Sequence, residues 1–165
     1  MDSTQERRPI TEEEVRGTLQ RMLEAYEEGR KEFFDWFAPD ASLFVLSSPT
    51  RIDSREVYQQ GFGQFFYETK RTSQILSPEY RILGDDGAVV SFHNRVLVGG
   101  VSTNLRGTIV FHRAPGGELK VVHMHNSPLG QPTAPGVALT PQEMDEVTVL
   151  EERVAAASAA VGTPK

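Results

Sequence analysis

GDDGAVVSFHNRVLVGGVSTNLRGTIVFHRAPGGELKVVHMHNSP, residues 84–128, decides the fold of this chain and holds all four of its histidines. Asp85-Asp86-Gly87, Gly99-Gly100 and Pro115-Gly116-Gly117 are turn signals, each flanked by β-branched or aromatic residues, so the stretch reads as a three-stranded antiparallel meander. A two-residue turn at Gly99-Gly100 pairs Val98 with Val101, Val96 with Thr103, Asn94 with Leu105, Phe92 with Gly107 and Val90 with Ile109. That face is apolar except for Asn94. The other face carries Ser91, His93, Arg95 and Leu97 against Thr108, Arg106, Asn104 and Ser102, so alternation divides the sheet into a buried side and a polar side.

The register across Pro115 decides where His123 and His125 point. Two positions apart on a strand, they share a face. Pairing Phe111 with Leu119 sets His125 and His123 against Leu105 and Gly107, which turns both imidazoles inward beside Asn94. A shift of one residue places them with His93, Arg106 and Thr108 on the polar side and buries Val122 and Met124 instead. The first register is preferred because it buries Leu119 and Val121 and exposes Lys120. Two histidines with no acidic neighbour on the strand fall short of a catalytic metal site, and none is expected.

Upstream, residues 1–10 are polar and read as a loose arm. Thr11 with Glu14 forms a capping box, and Val15, Leu19, Met22, Leu23 and Tyr26 share a helical face, predicting a helix from about Glu12 to Glu28 that ends at Gly29. Phe33, Phe34, Trp36 and Phe37 then form a short aromatic helix, either a core plug or one wall of a pocket. Residues 41–48 read as a strand. Asp53 with Glu56 caps a second helix, on which Tyr58, Phe62, Phe65 and Phe66 share a face and which ends near Thr69. Gly61 and Gly63 weaken it by roughly 1 kcal/mol each, and close approach of another element is the expected compensation. Residues 72–83 form a strand that Pro78 interrupts, at a bulge or an edge. After Ser127 a Pro/Gly-rich linker over 129–139 leads to a capped helix and fraying tail over 140–165, with Met144, Val147, Leu150 and Val154 as its apolar stripe.

A chain of 165 residues with 38% hydrophobic content builds one core. Its net charge of −6 argues against nucleic acid or an anionic membrane surface as the main partner, since both call for clustered positive charge. Without cysteine there is neither a disulfide framework nor thiolate chemistry. No apolar run approaches the ~20 residues of a membrane span, and a cytoplasmic location is the default expectation.

Helix, short helix, strand, helix and four long strands describe an α+β cone, in which a strongly curved mixed or antiparallel sheet wraps around N-terminal helices and a C-terminal helix follows. Phe37-Ala38-Pro39-Asp40-Ala41, Gly84-Asp85-Asp86-Gly87-Ala88 and above all Val122-His123-Met124-His125-Asn126-Ser127 resemble the nuclear transport factor 2-like superfamily. That group includes ketosteroid isomerase, limonene epoxide hydrolase, SnoaL-like polyketide cyclases and the calcium/calmodulin-dependent kinase II association domain. The likeness spans about Glu12 to Ser127. Overlaid on ketosteroid isomerase, Val45 stands where that enzyme has its aspartate base and Gly107 lies near its acid. Overlaid on the kinase association domain, Asn94 and roughly Ile109 stand at its two pocket arginines.

The resemblance implies a cofactor-free enzyme acting on a small hydrophobic molecule by isomerisation, cyclisation, dehydration or hydrolysis, in natural-product or secondary metabolism. His125 and His123 are the expected acid-base groups, and Asn94 holds a carbonyl or a water, or else bonds to the first helix. Trp36, Phe44, Tyr58, Phe62 and Tyr26 are the expected pocket walls. The alternative is a non-catalytic binding or oligomerisation module. A homodimer or higher oligomer is expected in either case, with His93, Arg95 and Arg106 on the packed outer face.

Overall fold

The computed structural model describes residues 8–128. The expected linker, the C-terminal helix and most of the N-terminal arm lie outside the described residues. Ile10, the end of that arm, is buried and its N–H donates to Asp85 O at 3.1 Å.

Helix α1 spans Glu12–Glu27, capped by Thr11, whose hydroxyl accepts from the Glu14 N–H at 3.2 Å. Its buried stripe is Val15, Thr18, Leu19, Met22 and Ala25. The chain reverses at Gly29, where φ is +65° and a Cβ would stand 2.8 Å from the Phe66 carbonyl oxygen, so only glycine fits. A short 3-10 helix, Lys31–Trp36, follows and buries Phe33 and Phe34. The Phe33 ring lies 5.3 Å from Tyr26, Phe34 and Phe37 and 5.0 Å from Phe66, so this segment plugs the core.

Strand β1, Phe37–Phe44, begins and ends four residues before the strand expected over 41–48. It is an edge strand whose pairing is broken between Phe37 and Ser42, which is how it accommodates Pro39. Helix α2 spans Arg55–Glu68 and is capped by Ser54 rather than Asp53; the Ser54 hydroxyl accepts from the Val57 N–H at 3.1 Å. Its buried arc centres on Phe66 and Gly63, which swings Phe65 to the rim, 55% exposed. The close approach expected at its glycines is absent at Gly61, where a Cβ meets nothing within 4 Å; at the buried Gly63 the nearest atoms to a Cβ belong to Tyr67 of the same helix, the first at 3.3 Å.

Strand β2, Arg71–Leu83, is the other edge, with a shift in pairing between Leu76 and Glu79 and a positive φ at Ser77, so the bulge and the edge expected at Pro78 occur together. Strands β3 (Gly87–Val98) and β4 (Val101–Arg113) pair in the register expected from the Gly99-Gly100 turn. Both glycines have positive φ, as a two-residue hairpin turn requires. With β5 (Leu119–Pro128) the sheet order is β1-β5-β4-β3-β2; β1 runs parallel to β5 and every other pair is antiparallel. The result is an open five-stranded mixed sheet with the helices on one face, the α+β cone.

The preferred register of β5 is corrected by a bulge. Leu119 opposes Arg113 and Val121 opposes Phe111, so both are buried as expected, but His123 opposes Val110 and the extra residue Val122 has no partner. One inserted residue reverses the phase of everything after it. Met124 and Asn126 therefore point inward, and His123 and His125 lie on the outer face.

Candidate functional site

The inner face of the sheet and the two helices enclose a cavity of about 220 Å³. Helix α1 contributes Met22, Leu23 and Tyr26, α2 contributes Tyr58, Phe62 and Phe65, and the sheet contributes Phe92, Val96, Val98, Leu105, Ile109 and Met124. The polar groups among these apolar walls are Ser47, Arg71, Asn94, Thr103 and Asn126 with the two tyrosines.

Three expected wall residues, Tyr26, Tyr58 and Phe62, are in place. The Tyr58 and Phe62 rings stack at 5.4 Å with 2° between their planes, as residues four apart on a helix allow. Burial drives the Tyr58 phenol far above its ordinary range, and it raises Tyr26 against the opposing influence of Arg71. Neither hydroxyl gives up its proton near neutral pH. Trp36 does not line the cavity; it packs on the core with the Arg21 guanidinium 5.7 Å above its ring. Phe44 is also elsewhere, 40% exposed on the outer face, because β1 follows β5 in parallel with Phe44 beside His125 and Ser42 beside His123.

Asn94 lines the cavity and its Oδ1 accepts from the Ser73 hydroxyl at 2.9 Å, while the Ser73 N–H donates to Glu27 at 2.6 Å. The hydrogen bond to β2 orients the carboxamide, and its NH₂ is left as a donor. Asn126, two strands away, was missed by sequence reasoning because it faces inward only once the bulge is known. It lies opposite Gly107, where a Cβ would come within 2.7 Å of both Asn126 Oδ1 and the Phe92 ring. The missing side chain makes room for both.

Arg71 is the other residue that was missed. Its Nη1 donates to Tyr26 O at 2.9 Å and its Nη2 to Phe66 O at 2.9 Å and Thr69 O at 2.5 Å, so it ties together the C-terminal ends of both helices. Its guanidinium also lies over the Tyr26 and Phe66 rings, at 4.9 and 4.3 Å. A sequence signal existed: Arg71, Ser73 and Ile75 alternate onto one strand face.

The histidines form a separate outer cluster. His123 Nδ1 is 2.8 Å from the Ser42 hydroxyl, and the Phe44 ring stands 6.1 Å from His123 and 5.3 Å from His125. Farther along this face His93 opposes Arg106, while Arg106 donates to Ser127 and Arg95 to Ser102, each at 2.9 Å. Burial, helped by the Arg106 charge, lowers the His93 pKa and keeps its ring neutral.

Among the described residues, no helix is long and apolar enough to cross a membrane. No curated protein matches the chain in sequence. The CamKII hub homology domain of Chlamydomonas reinhardtii superposes with a TM-score of 0.59 at 23% identity, covering 70% of this chain and 96% of that one. A Streptomyces avermitilis protein provisionally assigned as a dehydratase of the nuclear transport factor 2-like family gives 0.63 at 22%, covering 70% and 94%. A nuclear transport factor 2-like superfamily protein of Salmonella enterica gives 0.62 at 18%, covering 77% and 96%. The fold is thus common to enzymes and association domains. The family described as the SnoaL-like domain matches residues 15–131, most of the sequence and nearly all of the cone, and the chain belongs to that family.

Proposed function

We propose that this chain is a receptor for a small, mostly apolar organic molecule held inside the cone. The observation that carries this reading is the cavity itself: apolar walls, a few convergent polar groups and, among the described residues lining it, no Asp, Glu or His. Proton shuttling by His123 and His125 loses its support, since both lie across the sheet from the ligand. The test uses the neutral, environment-sensitive dye N-phenyl-1-naphthylamine. Val98→Trp, which fills the cavity, is expected to weaken dye binding at least about tenfold, a loss of about 1.4 kcal/mol, while His125→Ala on the opposite face leaves affinity within about twofold. Equal binding by wild type and Val98→Trp would sink the proposal.

An enzymatic reading keeps one specific support. Asn94 and Asn126 set carboxamides along the same cavity, and their NH₂ groups are suited to polarising a substrate carbonyl during isomerisation, cyclisation, dehydration or hydrolysis. Turnover by this route depends on Asn94 and Asn126 and is indifferent to His125.

The outer face supports a homodimer. No described helix covers it, and cross-strand rows such as Phe44, His125, Thr108 and Ser91 mix apolar and polar groups as subunit contacts do. Phe44→Asp is expected to convert a dimer to a monomer in light scattering; an unchanged mass assigns the contact to another surface.

A further inference from the structure

A buried cation with no carboxylate beside it is expensive unless something compensates it. Arg71 is 5% exposed, yet among the described ion pairs none involves it. Glu27, on the neighbouring helix, directs its Oε1 to the Ser73 N–H. Three carbonyls at the helix C-termini supply only partial negative charge, and no described bond uses Nε or the second Nη1 proton. Desolvation correspondingly lowers the Arg71 pKa, although an arginine stays charged at any physiological pH. The other polar groups on the cavity wall, Asn94 above all, offer donors to complement an acceptor.

We propose that the ligand is an apolar molecule carrying one carboxylate, and that Arg71 is the specificity-determining residue that takes the carboxylate at the hairpin-tip end of the cavity, beside Val98. The proposal rests on the receptor reading and names its ligand class. A carboxylate fits because it supplies the missing negative charge and can accept from Nε or from the second Nη1 proton, the two donors that the backbone carbonyls leave free. The apolar remainder lies toward Leu105 and Met124.

The test compares octanoate with octanamide, which have the same chain and differ in head-group charge. Wild type is expected to bind octanoate at least about tenfold more tightly, and Arg71→Met to bring that ratio within about twofold of one. Arg71→Lys, which keeps the charge and loses the planar fork, is expected to retain part of the preference. Arg71 also joins two helices, so a variant that fails to fold is replaced by a measurement on wild type alone. The carbonyl resonance of bound [1-¹³C]octanoate should titrate at least about one pH unit below that of the free acid, a tenfold effect. Dye binding without carboxylate preference, or an unshifted titration, overturns the role of Arg71 and leaves the receptor reading standing. Failure of wild type to bind dye, acid and amide alike overturns both.

Discussion

At the scale of single residues, the cavity depends as much on a missing side chain as on those present. Gly107 faces inward from β4, and the ring of Phe92 and the carboxamide of Asn126 occupy the space a Cβ would need. Gly107→Ala is expected to cost about 1 to 3 kcal/mol through overpacking and to weaken dye binding by displacing Asn126. Urea unfolding reads the first effect and dye titration the second. A variant as stable as wild type would mean that the wall yields more easily than its packing suggests. Asn94 was legible in the sequence because it interrupts an otherwise apolar strand face. Asn126 was not, because it turns inward only past a bulge, and for Arg71 alternation groups it with Ser73 and Ile75 without saying which face of the edge strand β2 turns inward.

At the scale of elements, α2 lines the site while carrying two glycines in its interior, each of which lowers its helix propensity. Ser54 caps it and Tyr58 and Phe66 anchor it, but Gly61 sits mid-helix with open space around its Cα. Gly61→Ala is therefore expected to stabilise the protein by roughly 0.5 to 1 kcal/mol, seen as a higher urea midpoint with an unchanged slope. Destabilisation would reveal a contact that Gly61 protects. Strand β5 shows how one residue outweighs a pattern. Leu119 and Val121 lead any reader to continue the alternation, which turns His123 and His125 inward, whereas Val122 bulges and reverses it. The bulge leaves no mark in the sequence, since Val121-Val122 is as regular a β dipeptide as any other. The preceding hairpin was readable because its turn is signed by two glycines.

At the scale of the whole molecule, the cone is closed at one end by a contact between residues 99 apart. Arg113 Nη1 and Nη2 donate to the two carboxylate oxygens of Glu14 at 2.9 and 2.8 Å, which fastens the start of α1 to the end of β4. The Arg113 guanidinium holds the Glu14 carboxyl below its ordinary pKa. A group depressed in this way contributes stability above its unfolded pKa and loses it as pH falls through the folded value. Glu14→Gln is accordingly expected to cost about 2 kcal/mol near neutral pH, with the difference from wild type shrinking as both are acidified through the carboxylate range. Chemical denaturation at several pH values checks this, and a pH-independent difference would assign the loss to packing. The order of elements, both helices, the β3/β4 register and the inner apolar face follow from the sequence alone, because hydrophobic periodicity, caps and turn residues act over a few neighbouring positions. Which side of the sheet the last histidines occupy, the meeting of Arg71 with two helix ends and the pairing of Glu14 with Arg113 were decided only by the tertiary structure. Each depends on a bulge, a sheet edge or a contact across the chain, where pairing between distant strands sets the geometry and local pattern carries no record of it.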